Sequence, residues 1–207
     1  MRRSVAGLLI SAALVSGGCL SSIIPDPAPA DSIYRLITAS NVAVPTPDAT
    51  VFRIDRPTAP AALMSYNVIV SPDGQRLASA SQARWAENIP SLIQTSFFDM
   101  LSTRESIVGV LPTSGARSDL RAHITVRNFE ALFDNGEASA PLAVVHYTAT
   151  VSNATSRVLI GTLDVRKTER ANAPNVSSIV AATNSANTAA LSDIADWMEG
   201  LKVTPET

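Results

Sequence analysis

"DLRAHITVRNFEALFDNGEASAPLAVVHYTATVS", residues 119 to 152, alternates apolar and polar side chains in two runs joined by a turn. In the first run Leu120, Ala122, Ile124 and Val126 share one face, and Phe129, Ala131 and Phe133 then continue in the opposite phase. A period of two specifies a strand, and a slip of one residue predicts a β-bulge near Asn128. Asp134-Asn135-Gly136 has turn chemistry. The return run sets Ala143, Val145, Tyr147, Ala149 and Val151 on one side, and "NATSR" (153–157) turns the chain again into "VLIGTLDVRKTE" (158–169). The expectation is an antiparallel meander with one face on a core.

Working outward toward the C-terminus, Ile179, Ala182, Ala186, Ala190, Ile194, Trp197, Met198 and Leu201 trace a helical stripe of mostly small residues, suited to close approach to a sheet, with Gly200 and Pro205 ending it. Toward the N-terminus, "RWAENIPSLIQTSFFDMLS" changes period: Ile89, Leu92, Ile93, Phe97, Met100 and Leu101 recur every three or four residues. Asn88 fits as N-cap, and Pro90 falls in the first turn, where its missing N–H costs nothing. Before it, 32–39 and 51–57 read as short strands, and 65–81 as a hairpin turning at Pro72-Asp73-Gly74. The expected fold class is α/β: a single-domain sandwich, with a mixed, largely antiparallel sheet and two main helices packed on one face.

The chain start has a different character. Arg2 and Arg3 precede a nearly apolar stretch from Val5 to Ser16, then Gly17-Gly18 leads into Cys19, the single cysteine. That is the layout of a secretory signal, too short to span a bilayer, which takes about 20 apolar residues. A signal ending at a cysteine resembles the bacterial lipobox, which predicts a lipoprotein signal peptide over 1–18 and acylation of Cys19. Ser16 stands where the pattern has a large aliphatic residue. Cys19 has no partner for an internal disulfide. "LSSIIPDPAPAD" (20–31) is Pro-rich and extended, so 19–31 reads as an acylated cysteine and tether. Leu20 and Ser21, rather than aspartate, follow Cys19, which by analogy with lipoprotein sorting favours the outer membrane.

Removing 18 of 207 residues leaves 189, enough for one domain with a substantial core. Loss of Arg2 and Arg3 leaves 14 basic against 18 acidic residues, a formal charge of −4, and the chain has no basic run. Nucleic acid is therefore not an expected partner. The pairs Arg53 with Arg56 and Arg166 with Lys167 read as solvated positions.

Catalytic signals are sparse. His123 and His146 are placed on neighbouring strands, facing each other, on the side away from the apolar stripes. A metal site would need a third ligand, and no His, Cys or Asp cluster supplies one. No nucleophile elbow, phosphate-binding glycine loop or dinucleotide fingerprint occurs. The expected inventory holds no catalytic residue, cofactor or metal, and cysteine lipidation is the one assigned site. A binding or assembly role is preferred to an enzyme.

With the lipobox in place, "YRL" (34–36), "RIDRPTAPAALMSYNVIV" (53–70), "ARWAENIPSLIQTSFFDML" (83–101) and "DIADWM" (193–198) follow in an order that resembles the ABC-type transport auxiliary lipoproteins, partners of mammalian-cell-entry (MCE) domain proteins. The resemblance implies that 32–203 is such a domain. It further implies a periplasm-facing lipoprotein joining an MCE-domain assembly to a membrane, with an ABC ATPase and permease supplying the ATP chemistry and a hydrophobic substrate such as phospholipid as cargo. Self-association into a homo-oligomeric ring is compatible with such partners. The tyrosine-rich turn usual in the family is replaced here by "QRLASASQARW" (75–85). Rival readings are a lipid or small-ligand carrier, a hydrolase with a dispersed site, and a structural lipoprotein of another envelope assembly.

Overall fold

A computed structural model of the protein describes residues 30–38 and 41–201. Cys19, the signal 1–18 and nearly all of the tether lie outside the described residues. Eight strands form one sheet: β1 Ser32–Tyr34, β2 Thr50–Ile54, β3 Asn67–Ser71, β4 Ala78–Trp85, β5 Ile107–Val110, β6 Leu120–Leu132, β7 Leu142–Asn153 and β8 Leu159–Arg170. Helix α1 spans Ile89–Leu101 and α2 spans Val176–Glu199. The α/β class, the mixed sheet and the pair of helices match the reading of the sequence.

The meander forms as expected. β6 pairs antiparallel with β7, and β7 with β8. The β6–β7 register slips between Val126 and Asn128, the position where the apolar phase changes. Phe129 and Ala131 are consequently buried beside Ile124 and Val126 on one face.

The other edge of β6 serves two short strands placed end to end. Leu120–Ala122 pair in parallel with Phe52–Ile54 of β2, and Ala131–Leu132 pair in parallel with Val70–Ser71 of β3. A bridge between Thr58 and Thr125 fills the interval. Beyond β2 lies β5, parallel to it and absent from the reading of the sequence. Beyond β3 lie β4 and then β1. The long pairings are thus antiparallel and the parallel ones short.

Both helices begin as their sequences direct. The Asn88 side chain accepts from the Ser91 amide (3.1 Å) and Asn175 from that of Ser178 (2.9 Å), each satisfying one of the free N–H groups of a first turn. Arg56 donates to the same Asn88 oxygen (2.9 Å), so the strand end that carries Arg56-Pro57 also anchors the start of α1. All six apolar residues predicted for α1 are buried. In α2, Ala186 and Ala190 are buried, so these small side chains serve close packing of helix on sheet. Trp197 lies half-exposed over Gly161, where a Cβ would stand 3.0 Å from the indole.

One core joins the layers. Trp85 is buried at the end of β4 and its ring meets that of Phe129 at 5.8 Å. Burial of such a side chain is worth about 1.5–3 kcal/mol or somewhat more. Polar groups are threaded through the same core. The Tyr147 hydroxyl of β7 donates to Asn187 Oδ1 of α2 (2.8 Å), and Asn187 Nδ2 donates to Ser96 Oγ of α1 (3.1 Å). Sheet and both helices are therefore joined by two hydrogen bonds among residues at most 3% exposed.

Candidate functional site

The face of the sheet turned away from the helices is open and polar. Alternation from the buried Ile124, Tyr147 and Val165 sends His123, Thr125, His146, Thr148, Asp164 and Arg166 to this side. The prediction that both histidines lie opposite the apolar stripe holds, but they do not face each other. His123 stands across from Thr150, and His146 across from Asn128 and Arg166. The registers of β6–β7 and β7–β8 set these partners, and sequence alternation alone does not contain a register.

Each histidine has its own polar partners. His123 Nε2 shares a hydrogen bond with Thr58 Oγ1 (3.0 Å). Burial lowers its pKa below the ordinary imidazole value, Asp55 opposes that shift and Arg121 adds to it. His146 Nε2 meets Asp164 Oδ2 at 2.8 Å, and Thr148 donates to the other carboxylate oxygen (2.9 Å). Those two hydrogen bonds, His146 first, hold the Asp164 carboxyl below the usual range.

Beside His123, Asp55 is held between Arg53 (3.2 Å) and Arg121 (2.9 Å to Nε). Arg53 is therefore paired rather than simply solvated, and Lys167 likewise pairs with Asp193 of α2 (2.7 Å). The clue in the sequence is the acid at Asp55, two residues from Arg53 and so on the same strand face.

Thr58 and His123 have the spacing of a hydroxyl and a base, but a nucleophile also needs an orienting group and a cavity. Among the described residues no carboxylate hydrogen-bonds to His123, and the pair lies on an open face. No group of three His, Cys, Asp or Glu residues among them converges as metal ligands. What the face offers is a broad field of donors and acceptors, the chemistry of a contact surface.

Protonation of His123 gives a direct check. The unfolded chain takes up this proton near pH 6.5, the fold only at lower pH. The histidine's contribution to stability is therefore complete above about pH 6.5 and is lost as pH falls through the folded value. Titration by NMR is expected to place the His123 midpoint below that of a model imidazole. His123→Gln is expected to flatten the decline of stability between neutral and mildly acidic pH.

A second feature lies on the helix side. The segment after β1 crosses both helices: the Ile37 amide donates to Asn184 of α2 (2.8 Å), and Thr38 donates to Asp99 of α1 (2.8 Å). A cleft of about 430 Å³ opens there, lined by Arg35, Leu36, Glu87, Leu92 and Asp99 among others. Its rim carries charges of both signs. No helix among the described residues is long and apolar enough to cross a membrane.

The comparisons with known proteins bear on the whole domain. A family model described as the ABC-type transport auxiliary lipoprotein component matches residues 34–195. No curated protein matches the chain. The fold is similar to the crystal structure of a protein from Xanthomonas campestris, at 20% identity and a TM-score of 0.72, covering 82% of this chain and 96% of that one. It is also similar to a hypothetical protein of Chlamydia trachomatis, at 8% identity and a TM-score of 0.51, over 74% of this chain and 97% of the other.

Proposed function

The chain belongs to the ABC-type transport auxiliary lipoprotein family, and on that premise we propose that it is the lipid-anchored, periplasm-facing component of an MCE-type ABC transport system. Its role there is to link or stabilise a complex that moves phospholipid or another hydrophobic substrate across the envelope. Cys19 carries the anchor, residues 19–31 the tether, and 32–203 the domain that meets its partners. An ATPase and a permease supply energy and passage, and this chain performs no catalysis. The missing aspartate after Cys19 favours the outer membrane. An MCE assembly with rotational symmetry offers equivalent positions to several copies of the chain, including a ring.

The observation that carries this reading is the reach of the family match, from Tyr34 in β1 to Ala195 in α2. Every strand of the sheet and both helices fall within or overlap that span, so the match is to a whole architecture. The open polar face suits an assembly role, because it provides a broad hydrogen-bonding surface.

Affinity purification of the native protein from mildly solubilised membranes, followed by mass spectrometry, tests it. An MCE-domain chain recovered together with an ABC ATPase and permease is the expected result. Their absence from material in which Cys19 is acylated would sink the proposal, and copurified lipid would then favour a carrier.

A further inference from the structure

Three segments meet at one corner of the sheet, where the chain enters the domain after residues 20–31. They are β1, the loop 60–66 ahead of β3, and residues 84–89 between β4 and α1. Backbone hydrogen bonds fix them to one another. The Ala86 amide donates to the Tyr34 carbonyl (2.7 Å), that of Trp85 to Tyr66 (2.6 Å) and that of Ile89 to Ser65 (3.0 Å). Leu63 and Trp85, from two of these segments, are buried, so the corner is footed on the core.

Its outer surface is apolar. Ile33, Met64 and Tyr66 are 64%, 61% and 48% exposed, and the loop 60–66, "PAALMSY", carries no charge. Ile33 stands beside Arg84 in the β1–β4 register, and the Arg84 guanidinium lies over the Tyr66 ring at 5.8 Å from its centre. Apolar side chains therefore flank a cation. Arg35 and Arg56 are exposed at the same corner, against the acids Asp31 and Glu87. Neither Arg35 nor Arg84 makes an ion pair with any described residue. The local excess of cations runs against the formal charge of −4 left once the signal is removed.

That composition fits the interface of an anionic bilayer. Aliphatic groups and a tyrosine ring enter at the level of the headgroups, and a guanidinium meets phosphate. The anchor brings such an interface within reach. Twelve residues, 20–31, span at most about 40 Å, and Ile33 follows two positions later. A contact too weak to form between separate partners becomes populated when a short link makes it intramolecular.

On the reading that Cys19 is acylated, we propose that this corner, centred on Ile33, Met64, Tyr66 and Arg84, docks the domain on the phospholipid surface that holds the anchor. Docking turns the β1–β4 edge of the sheet to the membrane, in each copy of a ring alike. So few side chains bind less tightly than one acyl chain, itself marginal, so Cys19→Ala still releases the protein.

The test uses the full acylated chain, purified from membranes in detergent and reconstituted into vesicles of phosphatidylethanolamine and phosphatidylglycerol that carry a headgroup nitroxide lipid. A fluorophore is attached through Ala62→Cys in one sample and through Ser156→Cys, in the turn between β7 and β8, in another. An acylated Cys19 thiol does not react, and intact mass reads the acyl chains and the label together. The expected result is quenching at least about threefold greater at 62 than at 156, halved or more by Ile33→Asp/Arg84→Glu and by exchanging phosphatidylglycerol for phosphatidylcholine. Equal quenching at the two sites in an acylated chain overturns the docking and leaves the anchor standing, as does quenching that the double variant leaves unchanged. A label at 62 shielded from aqueous iodide yet not quenched by the lipid shows a protein on this corner and overturns it too. A mass without acyl chains overturns anchor and docking together. If the double variant fails to fold by circular dichroism, the comparison of 62 with 156 decides.

Discussion

Replacing Asn187 by alanine is expected to lower the stability of the domain by about 3–4 kcal/mol, a large share of the 5–15 kcal/mol that holds most domains folded. Asn187 is fully buried, accepts from the Tyr147 hydroxyl and donates to Ser96. Truncation strands both partners where water cannot reach them, and each unsatisfied group costs about 1–3 kcal/mol. The phenol cannot escape by ionising, because burial pushes its pKa well above the ordinary tyrosine value. A small void adds to the loss. Tyr147→Phe removes one bond and is expected to cost less, about 1–2 kcal/mol. Tyr147→Phe/Asn187→Leu is expected to be more stable than the sum of the single effects implies, since it removes both partners of one bond. Urea unfolding followed by circular dichroism reads all three. An Asn187→Ala loss below about 1 kcal/mol would show that the polar thread is incidental to the core.

Cys19→Ala is expected to release the protein from the membrane altogether. Anchoring by acyl chains is steep: each buried methylene contributes about 0.8 kcal/mol, one chain holds marginally, and two or more hold stably. On the proposed lipidation of Cys19, removing the thiol removes the attachment point of the diacylglyceryl group. No helix among the described residues is long and apolar enough to cross a bilayer. Acyl labelling should vanish, and the chain should move from the membrane fraction to the soluble one. Unchanged labelling and retention would end the anchor argument. Density-gradient separation of the two membranes, applied to the unaltered protein, checks the expectation of outer-membrane residence.

The meander and the two helices were legible because each declares its own period, and because Asn88 and Gly200 stand at helix ends, whereas the Asn175 cap of α2 was not read from the sequence. The bulge was legible because a phase change at Asn128 has one physical cause. β5 was missed: Ile107, Val108 and Val110 are β-prone, but the strand has four residues and takes its stability from lying parallel to β2, 57 positions earlier at Thr50–Ile107. The facing histidines failed for a related reason, since register belongs to strand pairs. β4 ran longer than expected because much of it is exposed on both sides, so "ASASQ" carries no alternation. Asn187 and Thr183 look like surface residues, yet they lie at four-residue steps from Ile179 and before Leu191, on the buried stripe. Polar side chains interrupting an apolar face at helical spacing were the available sign of the polar core.

The placement of β2 and β3 end to end against β6 has a consequence in time. An exported chain emerges with its N-terminus first, so both short strands appear well before Leu120–Leu132, the strand each must pair with. Contacts between segments so distant in sequence form late and slowly. The first half of the nascent chain therefore waits, with Phe52, Ile54 and Val68 uncovered, until the second half arrives to complete it. During that interval the molecule is most exposed to aggregation and most in need of a holding chaperone.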